Sequence, residues 1–142
     1  MLSRRSQVAQ LRRLAREALD AYPLADPELR FIAQGENTTF RVDARAPSGR
    51  ERFLLRVHRP ARHGRNVDPA AAVGSELCWL VALRADTGLV VPEPFRTAEG
   101  SLTTMAKSRQ MPGRGSAQCC AGWRAVSTPP RPGRCTFAGS VA

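Results

Sequence analysis

The sequence contains little lysine, tyrosine or histidine, and it has no long apolar segment. Its 142 residues include one lysine against 21 arginines, one tyrosine and two histidines. No apolar run is long enough to cross a bilayer, and the basic start lacks the continuous apolar segment of a signal peptide. These absences argue against a membrane-spanning or secreted protein. We expect a cytoplasmic location and no membrane partner.

Patterns that bind metals or form disulfides are also missing. His58 and His63 have no carboxylate or cysteine at ligand spacing, so we expect them to be solvated or structural. The adjacent pair Cys119-Cys120 and the lone Cys135 fit no zinc spacing. We therefore predict no metal site and, in a cytoplasmic chain, no structural disulfide.

Residues 1–106 show the patterns of one compact α+β domain. At residues 6–22 apolar side chains recur every three or four positions between arginines, which predicts an amphipathic helix. Its basic face allows two interpretations: it binds a membrane surface or a partner, or it packs on the sheet of its own domain. Strands are predicted at residues 29–33, 39–44 and 52–58, the last two joined by a turn at Pro47-Ser48-Gly49.

A second helix is predicted over residues 68–87. Asp68 can cap its start and Gly88 can end it. Cys78 lies beside its apolar face and would be a small core residue. The stripe that would pack on the antiparallel sheet consists of Val73, Leu77, Leu80 and Val81.

The periodicity stops after Ala106. Before that point, residues 90–95 should run extended into a hairpin around Glu99-Gly100, with residues 101–106 as the return strand. Residues 107–142 are rich in Gly, Pro, Ser and Arg, so we predict a disordered basic tail. They contain six basic residues and no acid, which accounts for six of the ten net positive charges. Basic and aromatic residues do not interleave and no nucleic-acid-binding motif occurs, so no nucleic-acid partner is expected.

Residues 34–42 could form a loop that lies over phosphates. Gly35 is followed by Glu36, Asn37, Thr38 and Thr39, which can turn tightly, and consecutive N–H groups in such a turn form a concave anion site. The two threonine hydroxyls could extend it. A plain turn between two strands fits the same residues. The order of the elements that follow favours the phosphate loop.

Arg56 and Glu76 are charged residues whose positions predict a pair. Arg56 lies on the strand after the loop between Leu55 and Val57, and Glu76 lies at the edge of the apolar stripe of the second helix. A half-buried charge is costly unless it is paired. We therefore predict that the two side chains face each other, about half buried.

This order of strand, phosphate loop, strand with a cation and helix with a glutamate resembles the N-terminal lobe of the protein-kinase-like fold. Its sequence motifs are similar to those of the aminoglycoside phosphotransferase and homoserine-kinase-like family. The resemblance covers residues 19–105 and rests on Gly35-Glu-Asn-Thr-Thr-Phe-Arg-Val, Leu55-Arg-Val-His-Arg-Pro, Ser75-Glu-Leu-Cys-Trp-Leu and Gly88-Leu-Val-Val-Pro-Glu-Pro.

The resemblance implies an ATP-dependent phosphotransferase that acts on a hydroxyl of an aminoglycoside, amino alcohol or similar small molecule. Residues 35–39 would cover the ATP phosphates, Arg56 would hold the place of a lysine that contacts the α- and β-phosphates, and Glu76 would be its helix partner. ATP and Mg²⁺ are the implied cofactors. The catalytic loop and the magnesium-binding aspartate of the family do not occur in this chain, so no catalytic or metal-binding residue is assigned.

The family resemblance ends where the second, larger lobe should begin. Read in a shifted frame with GC-rich codons, residues 117–124 can encode Ala-Val-Leu-Arg-Trp-Val-Ala, which resembles the expected strand and hinge. A frameshift that truncates a longer kinase after about residue 106 would explain this. A lone lobe would be inactive and could self-associate through its exposed face. The alternative function is a non-catalytic binding module whose contact surface is the basic tail.

Overall fold

The computed structural model describes residues 3–58, 69–107 and 117–124, which form two helices and one antiparallel sheet of six strands. The polar run at residues 61–66, His63, Asp68 and the remainder of the tail lie outside the described residues. The expected α+β class is confirmed. The elements are α1 (Arg4–Leu19), β1 (Ala25–Gln34), β2 (Asn37–Ala46), β3 (Gly49–His58), α2 (Pro69–Thr87), β4 (Glu93–Phe95), β5 (Thr103–Lys107) and β6 (Ala117–Arg124).

Helix α1 packs on the sheet of its own domain. The hydroxyl of Ser3 accepts a hydrogen bond from the backbone N–H of Ser6 at 3.2 Å, and this cap starts the helix two residues before the predicted position. Its arginines are exposed. Packing in the domain is therefore the interpretation that the structure favours. The buried face consists of Leu14, Ala15, Ala18 and Leu19.

Strands β1, β2 and β3 form two successive hairpins. β2 and β3 pair without interruption from Asn37 opposite His58 to Ala46 opposite Gly49. Gly49 has a φ of 122°, a conformation that other residues rarely adopt, so glycine is needed at this turn. The strands are longer than predicted because backbone pairing continues past the residues that carry the apolar alternation.

Helix α2 ends at Thr87 as predicted, and Gly88 follows with a φ of 64°, as is common after a helix. Its buried face is narrower than the predicted stripe. Val73 and Leu77 are buried and Leu80 packs against them, but Val81 is 38% exposed and Cys78 is also exposed. Cys78 is turned about 100° around the helix axis from Leu77, so the prediction of a core cysteine is wrong.

β4 and β5 lie end to end along one edge of β6. β4 pairs with residues 122–124, and β5 pairs with residues 117–121. The predicted turn is present, since the N–H of Gly100 donates to the carbonyl of Thr97 at 2.9 Å. The predicted hairpin pairing is wrong, because both strands find their partner in a third strand that the sequence pattern did not reveal.

That third strand, β6, also contradicts part of the expected disorder at residues 107–142. It lies between β3 and the edge formed by β4 and β5. The compositional argument averaged over a segment rich in Gly and Pro and missed eight residues that contain no proline and no acid. Small side chains suit this central position: Cys120 and Ala121 are fully buried, and a Cβ on Gly122 would come within 3.4 Å of the Tyr22 ring.

Two apolar cores lie on opposite faces of the sheet. The larger one is covered by α1 and includes Phe40 and Leu55, while the smaller one lies between α2 and β6 and includes Leu77 and Trp123. Because successive strand residues face opposite sides, the residues between those of the larger core point toward α2. Within the described ranges, no helix has the length and apolar character needed to span a bilayer.

Candidate functional site

A cavity of about 530 Å³ opens on the α2 side of the sheet. Its apolar surface comes largely from leucines and a tryptophan, and its charges come from Glu76 and two arginines, Arg56 and Arg124. Apolar walls with a few convergent polar groups are typical of sites that bind small molecules. The walls include Thr39, Leu54, Arg56, Glu76, Leu80 and Trp123.

Arg56 and Glu76 form the predicted pair. The Nη1 of Arg56 donates to Oε1 of Glu76 at 3.3 Å, and the two side chains are 35% and 47% exposed. Arg56 points to this side because Leu55 and Val57 are buried in the opposite core. Among the described residues, the Arg56 side chain makes this one hydrogen bond. A guanidinium has five N–H donors, so donors remain for an anionic ligand.

Trp123 makes the second contact that holds Arg56 in place. The guanidinium carbon of Arg56 lies 4.6 Å from the centroid of the Trp123 ring, within the range of a cation–π interaction. Trp123 is 5% exposed and packs in the smaller core with Leu77. The cation is thus held at the cavity wall between a carboxylate and an aromatic face.

The predicted phosphate loop is a tight turn at Gly35-Glu36 between β1 and β2. The N–H of Gly35 donates to the carbonyl of Asn37 at 2.9 Å, and Asn37 begins β2 opposite His58. Gly35 does not have a positive φ, and a Cβ on it would meet no atom within 4 Å. The turn therefore does not use the torsional freedom that the sequence argument attributed to this glycine.

The two threonines after the turn point in opposite directions. Thr39 lines the cavity and stands opposite Arg56 in the β2–β3 ladder. Thr38 is 1% exposed on the side of Phe40, so its hydroxyl does not extend an anion site toward the cavity. Of the seven predicted site residues, Thr39, Arg56 and Glu76 meet at the cavity, while the others lie at the hairpin turn or behind the sheet.

His58 is a buried histidine near the Arg56–Glu76 pair. It is 7% exposed, and its Nε2 has no hydrogen-bond partner in the part of the chain that the structure describes. Burial, and then the positive charge of Arg56, lower its pKa below the ordinary 6.5, against the opposing effect of Glu76. Of the two expectations for this residue, the structural one fits its position.

Carboxylate ligands for a metal are scarce at this site. Within residues 3–58, 69–107 and 117–124, no three of His, Cys, Asp and Glu come close enough to hold an ion. Glu76 is the carboxylate of the cavity lining and is already paired with Arg56. Magnesium is usually bound through carboxylates and substrate phosphates together. These residues alone therefore do not fit the magnesium ion that the sequence resemblance implies.

The sheet order β1-β2-β3-β6-β4, with α2 between β3 and β4, defines the class of this chain as a kinase-like N-terminal lobe. The chain is similar to the solved structure of a microcompartment-associated aminopropanol kinase, with 26% identity and a TM-score of 0.58. The match covers 84% of this chain and 31% of the other, so this chain spans under a third of the length of that kinase. No protein-family model and no curated protein matches the chain.

Sequence reasoning missed Trp123 as a site residue because it assigned the residue to the disordered tail. The available signal was the stretch Ala117–Arg124, which has no proline and carries one charge, at its last position. A short run of this kind between Gly- and Pro-rich segments is compatible with a buried strand. The leucines at 54 and 80 were assigned to a strand and a helix but not to a ligand site.

Proposed function

We propose that this chain is the nucleotide-covering lobe of an ATP-dependent small-molecule phosphotransferase. The observation that carries the proposal is the position of Arg56. Its guanidinium is about one-third exposed at the wall of an otherwise largely apolar cavity, and one carboxylate and one indole ring hold it there. A fixed cation beside apolar walls suits a ligand that joins a phosphate chain to a flat heteroaromatic base.

The residues divide between the two ends of such a ligand. Arg56 would bind phosphate oxygens near residues 35–39 at the end of the β1–β2 hairpin, where the N–H of Gly35 is already bonded to Asn37. Leu54, Leu80 and Trp123 would supply the apolar surface beside the base. The volume of about 530 Å³ lies within the range of small-ligand pockets, roughly 300–1,000 Å³. ATP, when bound, would supply the phosphoryl group that is transferred.

The acceptor in this proposal is the hydroxyl of an amino alcohol, an aminoglycoside or a related small molecule. The similarity to an aminopropanol kinase supports the first of these classes. This chain spans 31% of that kinase. The general base of catalysis and the magnesium ligands would therefore come from a second lobe that corresponds to the rest of the length of that kinase. Phosphoryl transfer depends on those groups to position the acceptor and to offset the charge of the phosphates.

We therefore expect the 142-residue chain to bind ATP weakly, with a Kd on the order of 1 mM or above, and to transfer no phosphate. A backbone amide NMR titration with Mg-ATP tests the binding. The amides at residues 35–39 and around Arg56 should shift. Arg56→Ala should abolish these shifts, whereas Arg30→Ala, which removes an exposed arginine of the same sheet, should leave them unchanged.

A coupled assay of ADP release against amino alcohols and aminoglycosides tests the catalytic half of the proposal. Turnover above background that disappears in Arg56→Ala would contradict the expected inactivity and would mean that the chain or its self-associated form completes the site. Amide shifts that avoid the cavity, or that persist in Arg56→Ala, would contradict the assignment of the site. That result would favour the non-catalytic binding module instead.

A further inference from the structure

We infer that Trp123 is a positioning residue that fixes the plane of the Arg56 guanidinium, so that this site requires arginine and not merely a positive charge. The inference rests on the proposed function, because the fixed guanidinium is taken to receive phosphate oxygens of ATP. It assigns a role to a residue whose strand was not expected from the sequence.

The sheet register brings the two side chains together. Trp123 stands directly opposite Leu54, and Arg56 stands opposite Ala121, so Arg56 and Trp123 are diagonal neighbours on one face. Long side chains reach such diagonal positions. Ala121 is fully buried and offers only a methyl group, which allows the guanidinium to extend over it to the indole ring, 4.6 Å away.

Glu76 sets the direction in which the guanidinium points. Glu76 accepts from Nη1 at 3.3 Å, on the α2 side of the arginine. The ring contact restrains the plane and the carboxylate restrains rotation within it. A planar fork held in this way can donate two parallel hydrogen bonds to phosphate oxygens. A lysine ammonium is a compact point charge that cannot present this fork, so Arg56→Lys is not a conservative change here.

Fluorinated tryptophan separates the charge interaction from the packing role of Trp123. The chain contains two tryptophans, and Trp79 is 62% exposed, so Trp79→Phe leaves residue 123 as the single site of 5-fluorotryptophan incorporation. Fluorine withdraws electron density from the ring face and weakens cation binding while nearly preserving the shape of the ring. We expect the Kd for Mg-ATP, measured by NMR titration, to rise about twofold with the fluorinated ring and about fivefold or more in Arg56→Lys.

A ¹⁹F NMR measurement without ATP tests the contact between Arg56 and Trp123 directly. The ¹⁹F resonance of the labelled residue 123 should shift in Arg56→Lys and stay in place in Arg30→Lys. An unchanged resonance in Arg56→Lys would overturn the inference. So would an ATP affinity that neither ring fluorination nor Arg56→Lys alters, and in that case the proposed function would stand. If no form of the chain binds ATP while the resonance still responds to Arg56→Lys, the proposed function fails and the positioning contact is retained.

Discussion

Two clusters of arginine and carboxylate lie on the same side of the β2–β3 ladder, and they differ in how completely their charges are paired. In the first, Arg41 donates to Asp43 through Nε at 2.8 Å and Nη2 at 3.0 Å, and Arg52 adds a third bond at 3.2 Å. In the second, Arg56 and Glu76 share one bond at 3.3 Å. The Asp43 side chain is 14% exposed, against 47% for Glu76.

The difference separates a structural ion pair from a candidate ligand site. The carboxylate of Asp43 receives three hydrogen bonds, so most of its acceptor capacity is used within the protein. Arg41 and Arg52 also keep unused donors, but of these three arginines Arg56 is the one that lines the cavity. A buried carboxylate with several bonds predicts effects on stability, whereas unused donors at a cavity wall predict effects on binding.

The largest expected effect on stability comes from Asp43→Asn. The change removes a carboxylate that accepts two bonds from Arg41 and one from Arg52, and it leaves both arginines with a neutral neighbour. Hydrogen bonds to charged groups are worth more than neutral ones, and we expect a loss of about 2–3 kcal/mol in the free energy of unfolding. Urea denaturation measures it as a lower midpoint with an unchanged slope.

Glu28→Gln is the matched control for this change. Its carboxylate lies on β1, is 57% exposed and pairs with Arg30 at 3.9 Å and Arg50 at 3.4 Å, so its loss should change stability by less than about 0.5 kcal/mol. Equal losses from the two substitutions would remove the distinction between the buried and the exposed cluster.

Acid provides an independent test of the Asp43 cluster. The hydrogen bond from Arg41, with smaller contributions from Arg52, holds the pKa of Asp43 below its ordinary 3.8 in spite of the opposing effect of burial. The unfolded chain therefore binds the proton first. The stabilisation is complete above about 3.8 and is lost as the pH falls from there through the folded pKa. Denaturation midpoints measured as the pH falls through 3.8 and below should therefore depend less steeply on pH in Asp43→Asn than in the unsubstituted chain.

A smaller effect is expected from separating Arg56 and Glu76. Both side chains are more than a third exposed and share one bond, so we expect a coupling of about 1 kcal/mol, at the low end of the range for a half-buried pair. A double-mutant cycle with Arg56→Met and Glu76→Gln measures it by denaturation. Strict additivity of the two changes would show that the contact does not stabilise the fold. A coupling as large as the stability loss in Asp43→Asn would remove the contrast between the two clusters.

Much of the sheet and the Arg56–Glu76 pair could be predicted from the sequence. Apolar alternation located β2 and β3, and helical spacing placed Glu76 toward Arg56, because both patterns are local. The limits of the elements were less accurate. Capping by Ser3 moved the start of α1, and backbone pairing carried the strands beyond their apolar residues.

The rest depended on contacts between distant parts of the chain. β6 is a central strand whose small residues fit between neighbours that are remote in sequence, and composition does not report such a fit. The cavity wall at Trp123 was missed with it. The direction of Thr38 was also misjudged, because the hydroxyl was considered apart from the strand alternation that buries it beside Phe40.

The smallest expected effect belongs to His58, which lies near the Arg56–Glu76 pair. Burial and Arg56 lower its pKa below 6.5, so the unfolded chain takes up a proton at a pH where the folded chain does not. The stability is complete above about 6.5 and falls with pH from there through the folded pKa. His58→Asn should flatten the decline of the urea midpoint as the pH falls below about 6.5. An unchanged or steeper decline in His58→Asn would show that His58 is not buried in its neutral form beside the site.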